Sequence, residues 1–260
     1  MTLTLGSGPL GRADGAFNFD LKGASPAHRL FLQPYGPRVR ASVRGTIVLD
    51  TLDAQLLHET GIPPRLYAPR GDFRVEALSA TDTSTHCPFK GDASYWSLTV
   101  GGETIPDAVW GYETPIAASS WLTGLAAIDP AHVDAWFVED ERATGGLRDP
   151  YHRVDVWATS RPVEVLIGGE VVVRTTNARI VQETGLAPRA YVPSVDVVAS
   201  WSAGSGLRTV CPYKGEASYW TVAGRTDVAW SYEYPLAECA AARGLWSFDD
   251  SQDDVEVRIG

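Results

Sequence analysis

The chain has 260 residues, of which 44 % are hydrophobic and 21 % are charged, and its formal net charge is −10. This length fits one large domain or two of ordinary size, and the composition argues against disorder as the main state. The acidic balance leaves no basic patch to follow a phosphate backbone, so we expect no nucleic-acid partner.

The sequence shows no signal for a membrane or for export. No apolar run approaches the roughly 18–20 residues of a membrane span. Residues 1–15 show no basic start followed by an apolar stretch, so no secretory signal is predicted. Three cysteines are too few and too scattered for a disulfide framework, which fits a reducing compartment. We therefore expect a cytoplasmic protein without a membrane partner.

The predicted elements are mostly strands. Residues 1–27 are rich in glycine and small residues and are predicted to form an N-terminal arm. Runs rich in valine, threonine, isoleucine and aromatic residues predict strands over residues 39–43, 46–51, 73–78, 94–100, 133–138, 163–167, 171–176 and 218–222. Glycines two positions beyond short apolar runs predict helices over residues 54–59, 116–122, 178–183 and 236–242. The fold class is therefore mainly β with short helices.

One sequence unit occurs twice in the chain. Two segments recur 124 positions later: CPFKGDASYW at 87–96 as CPYKGEASYW at 211–220, and ETGIPPRLYAP at 59–69 as ETGLAPRAYVP at 183–193. Further along, the offset falls to 120, where WGYETP at 110–115 matches WSYEYP at 230–235. Matches of this length at fixed offsets indicate an internal duplication.

The duplication predicts two tandem homologous domains. The first repeat domain spans residues 28–139 and the second spans residues 151–260. A charged linker with two adjacent glycines, residues 140–150, joins them. The extra residues of the first copy surround Gly101 and Gly102, so we expect a longer hairpin there.

The repeated segments resemble the signature of domain-of-unknown-function family 427, which is also labelled nucleotidyltransferase-like. The resemblance covers both copies, most of residues 28–260, and implies in each a small domain that resembles the β-tent (Mss4-like) fold. It implies no reaction, because the family has no established biochemical role. The residues do not support nucleotidyl transfer, since Gly6-Ser7-Gly8 is followed by no paired carboxylates and no GxxxxGK[ST] loop is present.

We expect neither a metal site nor a cofactor. Several β-tent relatives hold zinc with two Cys-x-x-Cys pairs, whereas Cys87, Cys211 and Cys239 form no such pair. Of the five histidines only His28 and His152 correspond between the copies. Each copy therefore lacks the four ligands of a structural zinc site.

The Cys-Pro-aromatic-Lys-Gly segment is the first candidate site. The chain has only three lysines, and two of them, Lys90 and Lys214, occupy the matched position in this segment. A nearby ammonium would lower the pKa of Cys87 or Cys211 and make the sulfur more nucleophilic. The alternative is a cysteine packed under the turn and a lysine paired with a carboxylate. The glycine after each lysine predicts a turn or a close backbone approach.

Two strands of each copy predict a cavity with aromatic walls. In Ser-Tyr-Trp, strand alternation places the tyrosine on one face of the sheet and the serine and tryptophan on the other. In Trp-x-Tyr-Glu it places the tryptophan and the tyrosine on a common face. If these strands pair, hydroxyl and carboxylate tips surround an aromatic pocket, as in many ligand sites. The alternative is an aromatic core. The residues are Ser94, Tyr95, Trp110, Tyr112 and Glu113, and in the second copy Ser218, Tyr219, Trp230, Tyr232 and Glu233.

A third group of candidate ligand-binding residues follows the predicted helices over 54–59 and 178–183. Its members are Glu59, Arg65 and Tyr67 and, in the second copy, Glu183, Arg189 and Tyr191. The alternative is an internal ion pair between the glutamate and the arginine six residues later. Cys239 has no matching cysteine in the first copy, and we expect it to pack in the core.

Three functions remain open at this point. The favoured one is a protein that binds an unknown small molecule in one pocket per domain, with the glutamate of Trp-x-Tyr-Glu and Tyr95 or Tyr219 beside the lysine. The second is an enzyme that uses lysine for Schiff-base or proton transfer, or cysteine as a nucleophile. The third is a structural or interaction module. No catalytic residue and no oligomeric state is assigned.

Overall fold

The chain forms two compact units. A computed structural model describes residues 28–260, and the predicted arm, residues 1–27, lies outside the described residues. The division between the units falls between Asp149 and Pro150, at the end of the predicted linker.

The first unit consists of two antiparallel sheets. Its strands are β1 (Leu30–Pro34), β2 (Val39–Val43), β3 (Thr46–Thr51), β4 (Gln55–Glu59), β5 (Ile62–Pro69), β6 (Leu78–Cys87), β7 (Gly91–Val100), β8 (Glu103–Gly111), β9 (Leu125–Ile128), β10 (Ala135–Val138) and β11 (Glu141–Arg142). A seven-stranded sheet has the order β1-β4-β5-β9-β8-β7-β6, and a four-stranded sheet has the order β11-β10-β2-β3.

The second unit repeats this arrangement. Its strands are β12 (Val154–Ala158), β13 (Val163–Ile167), β14 (Glu170–Thr175), β15 (Arg179–Glu183), β16 (Arg189–Tyr191), β17 (Trp201–Cys211), β18 (Gly215–Val222), β19 (Arg225–Ser231), β20 (Trp246–Phe248) and β21 (Val255–Ile259). Their orders are β12-β15-β16, β17-β18-β19-β20 and β14-β13-β21. A bridge between Val192 and Trp246 joins the first two sheets, which together match the seven-stranded sheet of the first unit.

The described residues are mainly β, as predicted. Their helical segments are short 3₁₀ turns at Arg70–Asp72, Val75–Ala77, Ala117–Leu122, Pro130–His132, Ser194–Asp196 and Ala237–Ala242. The helices predicted over residues 116–122 and 236–242 therefore exist only as 3₁₀ turns. No helix among the described residues is long and apolar enough to cross a membrane. The β-tent assignment stays a prediction.

The helices predicted over residues 54–59 and 178–183 are wrong. These residues form β4 and β15, and each strand pairs with a neighbour on both sides. Leu56 and Leu57 are both buried, so the strand shows no polar alternation to distinguish it from a helix. Gly61, with a φ of +87°, belongs to the β4–β5 hairpin and does not end a helix. A glycine with positive φ serves both kinds of turn equally well.

Three other predictions concern connections. The strand predicted over residues 73–78 is wrong, because Val75–Ala77 form a 3₁₀ turn and β6 begins only at Leu78. Part of the predicted linker belongs to the first unit, since Glu141–Arg142 pair with β10. The longer hairpin of the first copy is confirmed: β7 and β8 have ten and nine residues, whereas β18 and β19 have eight and seven.

Each unit buries two apolar clusters. Leu56 belongs to the larger cluster and Leu57 to the smaller one, and successive residues of a strand point to opposite faces of the sheet. The smaller cluster of the first unit contains Leu57, Tyr67, Ala93, Tyr112, Leu122 and Ala127. That of the second unit contains Val154, Val181, Tyr191, Ala217, Tyr232, Cys239 and Ala242. The candidate tyrosines thus lie in the smaller cluster, and Cys239 packs in the core, as predicted.

The glycine after each matched lysine is a testable feature of this fold. Gly91 and Gly215 have φ values of +103° and +104°, and a Cβ on Gly91 or Gly215 would lie 3.2 Å from the backbone N of Ile116 or the carbonyl O of Tyr234, respectively. We expect Gly91→Ala and Gly215→Ala each to cost about 1–3 kcal/mol of stability in urea denaturation. Gly71→Ala is the matched control, because Gly71 has no positive φ and open space around its Cα. Unchanged stability of both variants would contradict the strained turn.

Candidate functional site

A glutamate at the end of β4 is held between a lysine and a histidine. Lys90 lies in the turn between β6 and β7, and its Nζ donates to Glu59 Oε2 at 2.6 Å. His28 precedes β1, and its Nε2 lies 3.0 Å from Glu59 Oε1. Glu59 and Lys90 are buried, with side chains 9 % and 11 % exposed. Of the two roles open for Lys90, the structure shows the buried ion pair.

The second unit contains the same three residues in the same contacts. Lys214 Nζ donates to Glu183 Oε2, and His152 Nε2 lies 2.9 Å from Glu183 Oε1. In both units the residues are spaced 31 positions apart along the chain. We call each set the His–Glu–Lys triad.

Each triad connects two distant parts of the long sheet. Glu59 ends β4, which lies next to the β1 edge, whereas Lys90 follows β6, the strand at the opposite edge. A 2.6 Å contact between them requires the sheet to curl until these two regions meet. The concave side of that curl encloses the smaller cluster.

The negative charge of Glu183, the carboxylate of the second unit's triad, is strongly stabilised. Burial raises the pKa of Glu183, but the hydrogen bonds from His152 and Lys214 outweigh this effect and lower the pKa to about 2. Glu183 is therefore an anion throughout the physiological range. A carboxylate with so low a pKa is a weak base, which argues against proton abstraction by this residue.

The aromatic residue of the Cys-Pro-aromatic-Lys segment supports the histidine. The Phe89 ring stacks on His28 with centroids 4.0 Å apart, and Tyr213 lies against His152 at the same distance. This contact orients the imidazole toward the glutamate. The segment thus contributes two of its side chains, the aromatic ring and the lysine, to one triad.

A second aromatic pair lies on the concave side of each sheet. Trp110 Nε1 donates to Tyr67 Oη at 3.3 Å, and Trp230 Nε1 donates to Tyr191 Oη at 3.1 Å. In both pairs the rings meet edge to face, with centroids 6.4 Å apart. An arginine guanidinium covers each indole: Arg65 lies 5.4 Å from the Trp110 centroid, and Arg189 lies 5.1 Å from that of Trp230.

In the second unit these residues surround a cavity of about 200 Å³. Its lining consists of Val181, Glu183, Leu186, Ala187, Arg189, Tyr191, Lys214, Trp230 and Tyr232. Six of these nine residues are in the predicted site. Carboxylate, ammonium and phenol groups therefore meet apolar side chains around one small space.

The chain matches the model of a family described as a domain of unknown function, DUF427, over residues 31–139 and again over 155–259. The chain belongs to the DUF427 family. No curated protein matches it at a significant level. Both DUF427 domains contain one triad and one tyrosine–tryptophan pair, so the geometry described above belongs to the repeated unit.

Burial keeps the phenols of both domains protonated. It raises the pKa of Tyr67 to about 12, and it raises the pKa of Tyr112 above the ordinary range. Burial also raises the pKa values of Tyr191 and Tyr232. Each hydroxyl is therefore a hydrogen-bond donor at neutral pH.

The glutamates of Trp-x-Tyr-Glu do not contact the lysines, so that prediction is wrong. Glu113 accepts a hydrogen bond from Arg70 Nη1 at 2.6 Å and is exposed. Glu233 Oε1 accepts one from Ser231 Oγ at 2.7 Å. The strands end at Gly111 and Ser231, before the tyrosine and the glutamate, so strand alternation does not determine the direction of the glutamate side chain.

The alternative for the third group, an ion pair between the glutamate and the arginine six residues later, is wrong. Glu59 and Glu183 pair with lysines, whereas Arg189 Nη1 donates to the Phe248 carbonyl at 2.9 Å and to Asp250 Oδ1 at 3.0 Å. Because Glu59 ends a strand and not a helix, it lies across from Lys90 instead of folding back on Arg65.

The remaining predicted residues lie near the site without joining the triads. The hydroxyls of Tyr95 and Tyr219 bond to Thr85 and Thr209, both at 2.8 Å. Ser94 and Ser218 are half-buried next to these tyrosines. Cys87 and Cys211 are half-buried free thiols at the strand ends before the lysine turns. Their reactivity stays a prediction.

The histidines are site residues that the sequence analysis did not select. The signal that could have selected them is their match, because His28 and His152 are the only histidines that correspond between the copies. Within residues 28–260 no group of three or more histidine, cysteine, aspartate or glutamate side chains is placed to hold a metal.

Removal of one member of a triad tests the buried ion pair. We expect Lys90→Met to lower the stability of the first domain by about 3–5 kcal/mol, because Glu59 would remain as a buried charge without its cation. The double variant Lys90→Met, Glu59→Gln strands no charge and should recover much of that loss in urea denaturation. Equal stability of Lys90→Met and the unaltered protein would show that the pair has no structural role.

The low pKa of Glu183 predicts a pH dependence. Its folded-state pKa of about 2 lies below the ordinary value of 4.5. Its contribution to stability is therefore complete above about pH 4.5 and is lost as the pH falls toward 2. Thermal melts between pH 6 and pH 2.5 should show this loss in the unaltered protein. They should show less of it in Glu183→Gln, while Glu170→Gln, an exposed control, should follow the unaltered protein.

Proposed function

We propose that the second DUF427 domain binds a small organic molecule in the cavity between its triad and its tyrosine–tryptophan pair. The observation that supports this most directly is the mixed lining: charged and phenolic groups meet Val181, Leu186 and Ala187 around one space. Ligand sites combine apolar walls with a few fixed polar groups in this way. The first domain has the same polar residues, and a pocket there stays a prediction.

The size of the cavity restricts the ligand. A volume of about 200 Å³ lies below the roughly 300–1,000 Å³ of typical small-molecule pockets. This is less than the space that a nucleotide or a drug-sized molecule needs. The ligand is therefore a small metabolite-like compound with about one ring or a short chain.

The rigidity of the polar lining favours binding over catalysis. Glu183 has both carboxylate oxygens engaged and a pKa of about 2, so it is a poor proton acceptor. Its partner Lys214 is held in the ion pair. Fixed, fully charged groups orient a ligand well, whereas a general base works best with a pKa near the ambient pH.

A blocked cavity tests the proposal. Ala187 is exposed at the rim and lines the cavity, so Ala187→Trp should fill it without disturbing the core. A library of small fragments is screened against the unaltered protein and this variant by saturation-transfer NMR. We expect a set of fragments that bind the unaltered protein and not Ala187→Trp.

The first domain provides the matched control. Pro63 occupies the position equivalent to Ala187 and is also exposed. Pro63→Trp should retain the fragments that Ala187→Trp loses. If no fragment distinguishes Ala187→Trp from the unaltered protein, the cavity does not bind small molecules and the proposal is wrong.

A further inference from the structure

The cavity of the second domain has more hydrogen-bond donors than acceptors. Tyr191 Oη accepts from Trp230 Nε1 at 3.1 Å, and its own hydrogen has no acceptor among the described residues. The hydroxyl of Tyr232 forms no hydrogen bond with any described residue. Tyr191 and Tyr232 are nevertheless buried, at 1 % and 5 % exposure. Both side chains line the cavity, so a ligand that displaces water from it must supply an acceptor for these hydroxyl hydrogens, because a donor that loses water without gaining a new partner is costly.

The one carboxylate that lines the cavity already accepts two hydrogen bonds from charged or ring N–H donors. Glu183 Oε1 receives the hydrogen bond of His152, and Oε2 receives that of Lys214. An ammonium has three N–H donors, and Glu183 takes one of those of Lys214. The lysine therefore adds to the surplus of donors.

The charges of the cavity are balanced within the protein. Lys214 pairs with Glu183, and Arg189 pairs with Asp250 at 3.0 Å. A ligand carboxylate would enter without a free cation to pair with it, and an unpaired buried charge is unfavourable. A neutral acceptor carries no such cost.

We infer that the cavity takes a small neutral carbonyl compound, such as a ketone, ester or amide, whose oxygen accepts hydrogen bonds from the hydroxyls of Tyr191 and Tyr232. Its apolar body lies against Val181, Leu186 and Ala187. This inference rests on the proposed function and adds to it the chemical class of the ligand. It requires no covalent step.

Four probes with one six-membered ring test the class. Cyclohexanone has a neutral acceptor oxygen, and methylenecyclohexane has the same shape without it. Cyclohexanecarboxylate is an anionic acceptor, and cyclohexylamine is a cationic donor. Affinities are measured by ligand-observed NMR titration on the full chain. We expect cyclohexanone to bind most tightly of the four, and its binding to be lost in Ala187→Trp.

The variant Tyr232→Phe tests whether the Tyr232 hydroxyl donates a hydrogen bond to the ligand's carbonyl oxygen. The variant should fold like the unaltered protein, because the hydroxyl has no hydrogen-bond partner among the described residues. It should weaken cyclohexanone by about 3- to 10-fold, the effect of one neutral hydrogen bond, and leave methylenecyclohexane unchanged. Tyr112→Phe, the equivalent change in the first domain, is the control and should have no effect on binding in the second domain.

The outcomes separate the two proposals. If cyclohexanone and methylenecyclohexane bind equally, or if Tyr232→Phe leaves cyclohexanone unchanged, the carbonyl inference is wrong while the cavity can still bind other fragments. Tighter binding of the carboxylate or the amine also overturns it. If Ala187→Trp removes neither these probes nor any library fragment, the proposed function itself fails.

Discussion

The buried pair of a carboxylate and an ammonium determines the shape of each DUF427 domain. Glu59 ends a strand next to one edge of a seven-stranded sheet and Lys90 lies in the turn after the strand at the opposite edge, yet their charged atoms lie 2.6 Å apart. Removing both charges from water is costly, and the pair is favourable only when its geometry is good and further hydrogen bonds satisfy it. His28, stacked on Phe89, provides one of those bonds. The curl of the sheet and the burial of the pair therefore depend on one another.

The curl also creates the space in which the aromatic residues meet. Tyr191 on β16 and Trp230 on β19 lie on the concave side, where the indole donates to the phenol and Arg189 covers the indole. The same contacts occur between Tyr67, Trp110 and Arg65. Because each of these groups is held by its neighbour, the lining is arranged before any ligand arrives. Such preorganisation reduces the entropic cost of binding.

The two copies differ in their surface contacts, whereas the contacts of the triad are the same in both. Arg70, which pairs with Glu113, is replaced in the second copy by Ser194, and Glu233 bonds to Ser231 instead. A glutamate retained in both copies thus has two different local partners on the surface. The triad differs in this respect, since its His–Glu and Lys–Glu contacts both recur.

The sequence by itself determined the duplication, the mainly β class and the identity of most cavity residues. Fixed offsets and strand alternation are local signals, and they sufficed to place Tyr191, Tyr232 and Lys214 in one site. Only the tertiary structure decided that residues 54–59 form a strand, because pairing on both sides buries Leu56 and Leu57 alike. It also decided that Lys90 pairs with Glu59, since a contact across a curled sheet leaves no trace in local periodicity.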